Sequence, residues 1–550
     1  MDKSFNAYIE NSIRDNWELT ALSDYKGVSY SYKDIARKIE KMHILMNAAG
    51  IEKGDKIAIC GRNSAHWAVA FFATLTYGAV AVPILHEFKP DNVHHIVNHS
   101  EAKLLFVGDA VYENLDKSKM PYLTGIILNN DFSILHSTCE KLLDARHHLN
   151  QYFGDKYPER FRREDVSYHK DSPEELALIN YTSGSTGFSK GVMLPYRALW
   201  NNLKYCYENL FFMKAGDDIV SMLPMAHMYG LMVELCLAFA KGCHIHFLTR
   251  VPSPKIIMDA FAEIKPRIVI AVPLIIEKII RTKIFPMLEK PLMQVLMNIP
   301  FLNTKLEHQI CAKLEEAFGG NMYEIIIGGA ALNGEVEAFL RKINFPYTVG
   351  YGMTECAPLI SYAHWNIARL GSCGQVIDRT EARIDSPDPA NIVGELQIKG
   401  DSVMHGYYKN QDATEASFTP DGWLKTGDLA LLDADNYIYI KGRCKSMILG
   451  PSGQNIYPEE IEARINNLPY VNESIVIDQE GKLVALIYPD FENAEKQGLS
   501  DQIETLMEEN RVAVNKILPS YSQISRVKIF YEEFEKTPKR SIKRYLYQNA

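Results

Sequence analysis

The nine cysteines of this 550-residue sequence include no CxxC pair; they are scattered from Cys60 to Cys444. Zinc fingers and redox-active dithiols need closely spaced cysteines, so the spacing indicates neither class. Scattered thiols are typical of proteins in a reducing compartment. The start, MDKSFNAYIENSIRDNW, has no apolar signal core. These features together predict a cytoplasmic protein.

The chain also lacks an excess of positive charge, since 59 Lys and Arg are set against 68 Asp and Glu, a formal net charge of −9. General binding to nucleic acid needs lysines and arginines spread over a broad surface. No nucleic-acid partner is therefore expected. The basic stretch EKTPKRSIKR, residues 535–544, is an exception whose effect should be local.

One uncharged apolar run, WAVAFFATLTYGAVAVPIL from Trp67 to Leu85, is long enough to suggest a membrane span. About 20 apolar residues suffice to cross a bilayer. However, Gly78 and Pro83 interrupt the run. We therefore predict a buried helix followed by a buried strand of a globular core.

Short β-rich runs alternate with longer helical patterns from residue 50 to about residue 440, which is typical of parallel-rich sheets covered by helices. The strand candidates are KIAIC, AVAVPIL, KLLFVG, GIILN, ALINYT, HIHFL, RIVIAV and YEIIIGG. After Gly394 the runs GELQIKG and YIYIKGR, with their Gly and Asp turns, indicate a smaller β-rich part.

The chain is too long for one core, because single cores stop growing near roughly 250–300 residues. We predict an α/β fold with a large domain, residues 1–443, whose β-rich subdomain covers about 380–443. A small, mobile α+β domain should follow at residues 444–550. It should contain helices over 458–467 and 501–518 and the strands ESIVID, KLVALIYP and RVKIFY.

A loop rich in Gly, Ser and Thr follows the strand candidate ALINYT, in the sequence YTSGSTGFSKG at 181–191. Glycines let the backbone approach phosphates, hydroxyls donate to phosphate oxygens, and Lys190 adds positive charge. The loop is not GxxxxGK[ST], since Lys190 comes three residues after Gly187 and no hydroxyl follows it. A flexible linker is the alternative, but its position after a buried strand favours a polyphosphate site.

Four motifs in this order resemble those of the adenylate-forming superfamily, which includes acyl-CoA synthetases, luciferases and peptide-synthetase adenylation domains. They are YTSGSTGFSKGV, GYGMTE at 350–355 preceded by IGGAAL, DGWLKTGDLA at 421–430, and YIYIKGRCKSMI at 437–448. The resemblance spans essentially the whole chain. The stretches LPMAHMYGLMVEL and VPLIIEKIIR make it closest to bacterial long-chain fatty acid–CoA ligases.

The resemblance implies an AMP-forming acid–thiol ligase of fatty acid metabolism. With ATP, Mg²⁺ and a medium- or long-chain fatty acid it would form acyl-AMP and pyrophosphate, and then transfer the acyl group to CoA. Transfer to the phosphopantetheine of a carrier protein, or binding without turnover, stays open. So do acyl chain length, a homodimer, and peripheral contact with the inner membrane.

The resemblance also implies roles for individual residues. ATP-binding roles fall on Thr182, Ser183, Gly184, Ser185, Thr186, Gly187, Lys190, Gly329, Ala330, Ala331, Tyr351, Gly352, Thr354, Asp428 and Arg443. Catalytic roles fall on Thr186, Lys190, Glu355, Arg443, Lys445 and Lys543. Glu355 would bind Mg²⁺, which takes one or two carboxylates in nucleotide sites, and Lys445 would be the hinge between the domains.

Contacts to the acyl chain fall on His227, Tyr229 and Met353, and contact to the pantetheine arm of CoA on Gly453. A histidine in an apolar stretch is more often a satisfied core residue, but the motif around His227 favours the site. His95 and His99 have helical ligand spacing without a third ligand nearby, so no metal is expected there.

The end of the chain departs from the family. The family's last motif usually reads like PTGKIDR, and its lysine bridges the acid and ATP. Aligning Thr537-Pro538 and the Ile542/Arg544 pair puts Ser541 at the lysine position. A neutral hydroxyl cannot supply a cation between two anions. Lys539 and Lys543 share its side of an extended segment, and we predict that one of them partly covers the role.

Overall fold

The computed structural model describes residues 3–182, 189–249, 253–449, 455–537, 542–548 and 550. Its first part, up to residue 249, alternates strands and helices as the sequence predicts. The helices are α1 (Phe5–Asp15), α2 (Tyr32–Ala48), α3 (Ala65–Tyr77), α4 (Pro90–Ser100), α5 (Asp109–Tyr112), α6 (Glu140–His147), α7 (Leu149–Lys156), α8 (Tyr196–Asn209) and α9 (Ala238–Ala240). The strands are β1 (Thr20–Asp24), β2 (Ser29–Ser31), β3 (Lys56–Cys60), β4 (Val80–Ile84), β5 (Leu104–Val107), β6 (Gly125–Leu128), β7 (Ile134–Ser137), β8 (Leu176–Thr182), β9 (Lys190–Pro195), β10 (Asp218–Ser221) and β11 (His244–Phe247).

The middle of the chain, up to residue 443, has helices at its start and mostly strands at its end. The helices are α10 (Pro254–Ile264), α11 (Pro273–Ile279), α12 (Phe285–Leu288), α13 (Pro291–Met297), α14 (Pro300–Ala317), α15 (Gly334–Lys342) and α16 (Gln411–Ser417). The strands are β12 (Ile268–Ala271), β13 (Glu324–Ile327), β14 (Tyr347–Val349), β15 (Tyr351–Gly352), β16 (Leu359–Tyr362), β17 (Gln375–Val376), β18 (Thr380–Asp385), β19 (Gly394–Gly400), β20 (Gly406–Tyr407), β21 (Leu424–Leu432) and β22 (Ile438–Arg443).

The last part packs helices against a three-stranded sheet. Its elements are β23 (Ile448–Leu449), β24 (Asn455–Ile456), α17 (Pro458–Ile465), β25 (Val471–Gln479), β26 (Lys482–Pro489), α18 (Phe491–Lys496), α19 (Ile503–Asn515) and β27 (Ile524–Ile529). The helix predicted over 501–518 is shorter at both ends, and the final strand begins two residues earlier than RVKIFY. The boundary at residue 444 between a large and a small domain stays a prediction.

The strands of the alternating region are divided among several sheets. The largest has the order β20-β9-β8-β4-β3-β5-β6-β7, with a parallel centre and antiparallel strands at both edges. A second sheet has the order β10-β11-β1-β2, and a third, wholly parallel, the order β12-β13-β14. Residues 380–443 contribute the antiparallel sheet β18-β19-β21-β22. The predicted α/β class is confirmed.

The apolar run from Trp67 to Leu85 is a buried helix and a buried strand, as predicted. Ser64 caps α3 by accepting a bond from the Trp67 amide at 3.1 Å, and Gly78 ends the helix with φ of 89°. Every residue of β4 is buried, as a central parallel strand requires. Within the part of the chain described here, no helix is both long and apolar enough to cross a membrane.

The start of α1 is held by Asp171, which precedes β8 in the chain. The Asp171 carboxylate accepts hydrogen bonds from the Ser4 hydroxyl at 2.7 Å and from the Phe5 and Asn6 amides at 2.9 and 3.0 Å. It is 8% exposed, and it faces the positive end of the α1 dipole.

We expect Asp171→Ala to lower the free energy of unfolding by about 1–3 kcal/mol, because three donors at a buried helix end lose their acceptor. Urea unfolding followed by circular dichroism would measure the loss. Asp155→Ala, at an exposed position of α7, is the matched control. Equal unfolding midpoints for the two variants would contradict the anchoring role.

Candidate active site

The predicted phosphate loop joins two antiparallel strands. β8 and β9 form a hairpin in which Thr182 is the register partner of Lys190, so these two residues stand at the base of the loop. Five predicted ATP-binding residues, Ser183, Gly184, Ser185, Thr186 and Gly187, lie outside the described residues. The Lys190 ammonium lies 4.9 Å from the centre of the Tyr407 ring.

Glu355 is connected to the same hairpin through Tyr407. The Tyr407 hydroxyl donates to Glu355 Oε1 at 2.9 Å, and Tyr407 pairs with Val192 of β9. Lys190 and Glu355 therefore share one neighbour. From the described residues, the second Glu355 oxygen receives no hydrogen bond. A carboxylate with one oxygen available beside a phosphate loop fits the donor set that Mg²⁺ takes in nucleotide sites.

Three residues from three separate motifs meet at a second point of the site. The register of β21 and β22 sets Asp428 opposite Arg443, and Asp428 Oδ1 pairs with Arg443 Nε at 2.7 Å. The other oxygen, Oδ2, accepts a bond from the Tyr351 hydroxyl at 2.6 Å. The Asp428 amide donates to the Thr426 hydroxyl at 3.0 Å. The geometry places a fixed carboxylate and an exposed guanidinium beside Tyr351.

Burial is the largest influence on Asp428 and raises the pKa of its carboxyl, while the charge of Arg443 opposes the rise. The bond from Tyr351 also lowers this pKa, and the charge of Glu459, from α17, raises it further. The carboxylate thus depends on both neighbours to stay ionised in a buried position.

The glycine-rich run after β13 leaves backbone open to a ligand. Gly329 has φ of +85° and, with Ala330 and Ala331, is exposed. Gly352 is also exposed, and a Cβ there would lie 2.2 Å from the Pro358 carbonyl oxygen, so only glycine fits. These positions match the role of a surface against which a nucleotide base can lie.

Of the predicted acyl-contact residues, Tyr229 lies against this run. The Tyr229 hydroxyl donates to the Ile326 carbonyl at 3.0 Å, and its ring lies against Gly328, where a Cβ would approach to 3.1 Å. His227 is half-buried, and its Nδ1 accepts a bond from the Tyr229 amide at 3.3 Å. Met353 is half-buried between the exposed Gly352 and the buried Thr354.

Strand β8 fixes the segment that carries His227. Asn180, next but one to Thr182, donates its side-chain amide to the Ala226 carbonyl at 3.0 Å. Asn63 also holds the segment, since it donates to the Leu223 carbonyl at 2.6 Å and accepts from the Met225 amide at 3.0 Å. The hydrogen bond from Asn180 therefore connects the β8–β9 hairpin to the segment that carries His227.

Comparison with known proteins decides the family. Residues 9–408 match the family described as AMP-binding enzyme. The chain belongs to that family. The matched range contains the phosphate hairpin, Tyr351 and Glu355, whereas Asp428 and Arg443 lie beyond its end.

Several characterised proteins resemble this AMP-binding enzyme over most of its length. It is 27% identical over 484 residues to the long-chain-fatty-acid–CoA ligase FadD15 of Mycobacterium bovis, covering 84% of this chain and 77% of the relative. It is 28% identical over 454 residues to a long-chain-fatty-acid–CoA ligase of Escherichia coli O6:H1, covering 78% and 74%. The ATP-bound crystal structure of MatB from Rhodopseudomonas palustris has a TM-score of 0.77 at 21% identity, covering 100% and 99% of the two chains.

Among the C-terminal candidates of the AMP-binding enzyme, the structure describes Lys445 and Lys543. Lys445 is exposed in the turn directly after β22, two residues beyond Arg443. Gly453, Lys539 and Ser541 fall outside the described residues. Lys543 pairs with Glu535 at 2.7 Å. Among the described residues, no ion pair connects Lys543 with Glu355 or Asp428, so this structure does not bring it into the site.

Two residues that support the site were missed by the sequence reasoning. Tyr407 stands in HGYYKN, which carries no chemical signal of its own. Glu234 is fully buried in a π-helix, Gly230–Leu237, which interrupts the regular helix beside the acyl-contact segment. Its carboxyl accepts bonds at 3.1 Å from the Ser221 hydroxyl and from the Met222 and Leu223 amides. The only sequence feature that could have indicated Glu234 is that it is a single acidic residue within an apolar run.

Burial raises the pKa of Glu234 from an ordinary value of 4.5 to about 8, although its three hydrogen bonds act in the opposite direction. Between these values the native protein keeps a proton that the unfolded chain has lost. Stability from this group is therefore present below pH 4.5 and falls as pH rises towards 8.

Glu234→Gln should remove this part of the pH dependence, because the amide resembles the protonated acid. We expect its stability relative to the wild type to rise with pH between 4.5 and 8, by up to about 5 kcal/mol in total, and then to level off. Urea unfolding at several pH values would test this, with exposed Glu113→Gln as the control. Parallel curves for the wild type and Glu234→Gln would refute the buried, protonated carboxyl.

Proposed function

We propose that this AMP-binding enzyme uses ATP to activate a medium- or long-chain fatty acid as acyl-AMP and then transfers the acyl group to CoA. The observation that carries the proposal is the junction at Tyr407, which joins the phosphate hairpin at Lys190 to the carboxylate of Glu355. A cation for phosphate oxygens and a carboxylate for a divalent metal are the two elements that an ATP-cleaving step needs side by side.

In the first step a carboxylate oxygen of the fatty acid attacks the α-phosphorus of ATP. The new P–O bond forms as the α–β bridging bond breaks, and pyrophosphate leaves. Lys190 and the loop hydroxyls bind the β- and γ-phosphates, and Thr354 contacts the α-phosphate. Glu355 would hold Mg²⁺, which would supply positive charge to the phosphate oxygens. The Tyr407 hydroxyl holds the carboxylate of Glu355 in position.

Tyr351 and Asp428 bind the nucleoside. The Tyr351 ring stacks on adenine, and its hydroxyl fixes the carboxylate of Asp428. That carboxylate has further lone pairs and accepts bonds from the ribose hydroxyls. Arg443, whose side chain is 60% exposed, pairs with Asp428 from the other side and can reach the ribose or a phosphate.

The acid is proposed to be a fatty acid because the segment behind His227 is apolar and because relatives carry the name long-chain-fatty-acid–CoA ligase. Met228, Leu231 and Met232 are buried there. A dozen methylenes transferred from water offer roughly 10 kcal/mol, at ~0.8 kcal/mol each, before the costs of binding.

In the second step the sulfur of CoA attacks the acyl carbonyl, and AMP leaves. Lys445 is proposed as the pivot for this step, since it stands where the chain leaves β22, and Gly453 as the residue beside the pantetheine arm. Arg281 contacts the Asn466 carbonyl after α17, and Lys441 lies 3.8 Å from Glu460. Asn333 and Arg281 also contact Asn467, and Asn333 contacts the Ala463 carbonyl. Polar contacts of this kind suit a module that moves between two poses.

A fatty acid panel tests the function directly. With ATP and Mg²⁺, we expect pyrophosphate release that depends on acids of medium or long chain, and acyl-CoA with AMP once CoA is added. Glu355→Gln should lower the rate of pyrophosphate release at least about 100-fold, because a metal ligand for the transition state is lost. Exposed Glu381→Gln is the control.

The same panel separates the alternatives. Consumption of acyl-AMP by a holo-carrier protein but not by CoA would assign the acyl group to a carrier. If the protein binds ATP and fatty acid but releases no pyrophosphate, the proposed enzymatic activity is rejected and a binding function is supported.

Ser541, which stands where the family has a lysine, allows a second test of the proposed function. Ser541→Lys restores a cation at the family position, so we expect it to raise the rate of adenylate formation about tenfold or more. Transfer from preformed acyl-AMP to CoA should change little. Single-turnover assays of each half-reaction would measure both, with Ser500→Lys, at an exposed position of the same module, as the control.

Replacing Lys539 and Lys543 together by alanine tests whether they cover the missing lysine. Lys543 would first have to leave Glu535, its partner at 2.7 Å. Unchanged adenylate formation in this double variant would show that the tail has no catalytic part.

A further inference from the structure

A cluster of two histidines and one aspartate lies at one end of the sheet β10-β11-β1-β2. Asp218 begins β10 and His244 begins β11, and the parallel register sets these two residues side by side. His246 follows two positions later, so its side chain is on the same face. Asp218 Oδ1 lies 3.1 Å from His244 Nδ1 and 2.7 Å from His246 Nε2.

The outer nitrogen of His244 is held by a buried hydroxyl. His244 Nε2 lies 2.7 Å from Ser23 Oγ, and Ser23, which is 4% exposed, donates in turn to Ser29 Oγ at 2.6 Å. Ser23 Oγ and the Asp218 carboxylate therefore contact opposite nitrogens of the His244 ring and hold the ring with Nδ1 towards Asp218. Histidines that bind metals are oriented by this kind of second hydrogen bond.

We propose that Asp218, His244 and His246 form a binding site for a divalent transition-metal ion, with Zn²⁺ as the best fit. Two imidazole nitrogens and a carboxylate oxygen are ligands that Zn²⁺ takes together. Their donor atoms lie within 4.8 Å of one another. Bonds of about 2.0–2.2 Å in a tetrahedral site require separations of about 3.3 Å, which small side-chain rotations provide.

The site is reachable and stands apart from the proposed active site. The side chains of Asp218, His244 and His246 are 40%, 19% and 16% exposed, so an ion can enter and keep a water as a further ligand. Asp218 and His244 are at the start of their strands, whereas β10 runs towards the His227 segment from its other end. A bound ion would join β10 to β11 and, through Ser23, to β1.

The test uses the untagged full chain, stripped with a chelator and titrated with Zn²⁺ by calorimetry. We expect one ion per chain at this site and a raised melting temperature, since the ion binds the native state. His246→Asn and Asp218→Asn should each weaken binding at least tenfold. Ser23→Ala, which keeps all three ligands, should weaken it about tenfold.

His148→Asn is the matched control, because His148, directly after α6, and Asp144 form an exposed pair at 3.0 Å. Wild-type protein gives an independent measurement: Zn²⁺ should protect His244 and His246, but not His148, from acylation by diethylpyrocarbonate. Affinity equal to wild type in both ligand variants, or the absence of such protection, would overturn the proposal and leave a hydrogen-bonded His–Asp cluster.

Discussion

The site depends on strand β8 more than on any other element. β8 pairs with β4 on one side and β9 on the other, and its residues from Ala177 to Tyr181 are buried. Asn180 uses its buried amide to hold Ala226, and Thr182 ends the strand where the phosphate loop begins. A shift of one residue in this register would turn Asn180 away from Ala226 and separate the loop from His227.

A second constraint comes from charges that meet at α17. Glu462 is buried, accepts a bond from the Val476 amide at 2.6 Å and pairs with Arg544. Burial raises the pKa of Glu462 to about 7, and the charge of Arg544 opposes this rise. Because the charge of Glu459 in the same helix also raises the pKa of Asp428, α17 interacts electrostatically both with the end of the chain and with the Tyr351–Asp428–Arg443 cluster.

Much of the fold could be predicted from local sequence because its signals are local. Each candidate strand, from KIAIC to YEIIIGG, is observed, since short runs rich in β-branched residues and bounded by turn residues are typical of strands. The division of these strands among separate sheets was not predictable. That division depends on which strand edges meet in space, and hydrophobic periodicity carries no information on pairing partners.

The site shows the same limit. GYGMTE and DGWLKTGDLA indicated Glu355 and Asp428, because both stretches resemble motifs of the adenylate-forming superfamily. Tyr407 could not be found, since a tyrosine becomes a support for Glu355 only when β20 pairs with β9. HIHFL was correctly predicted as a strand, yet the role of its histidines depends on Asp218 in a neighbouring strand.

The sequence alone determined the α/β class, because hydrophobic pattern and turn chemistry act between neighbours along the chain, and its four motifs were enough to indicate the family by resemblance. Tertiary structure alone decided that Tyr351, Asp428 and Arg443 form one cluster and that Lys543 pairs with Glu535. The physical reason is that a hydrogen bond or an ion pair needs two groups within a few ångströms in space. Separation along the chain does not reveal which groups come that close.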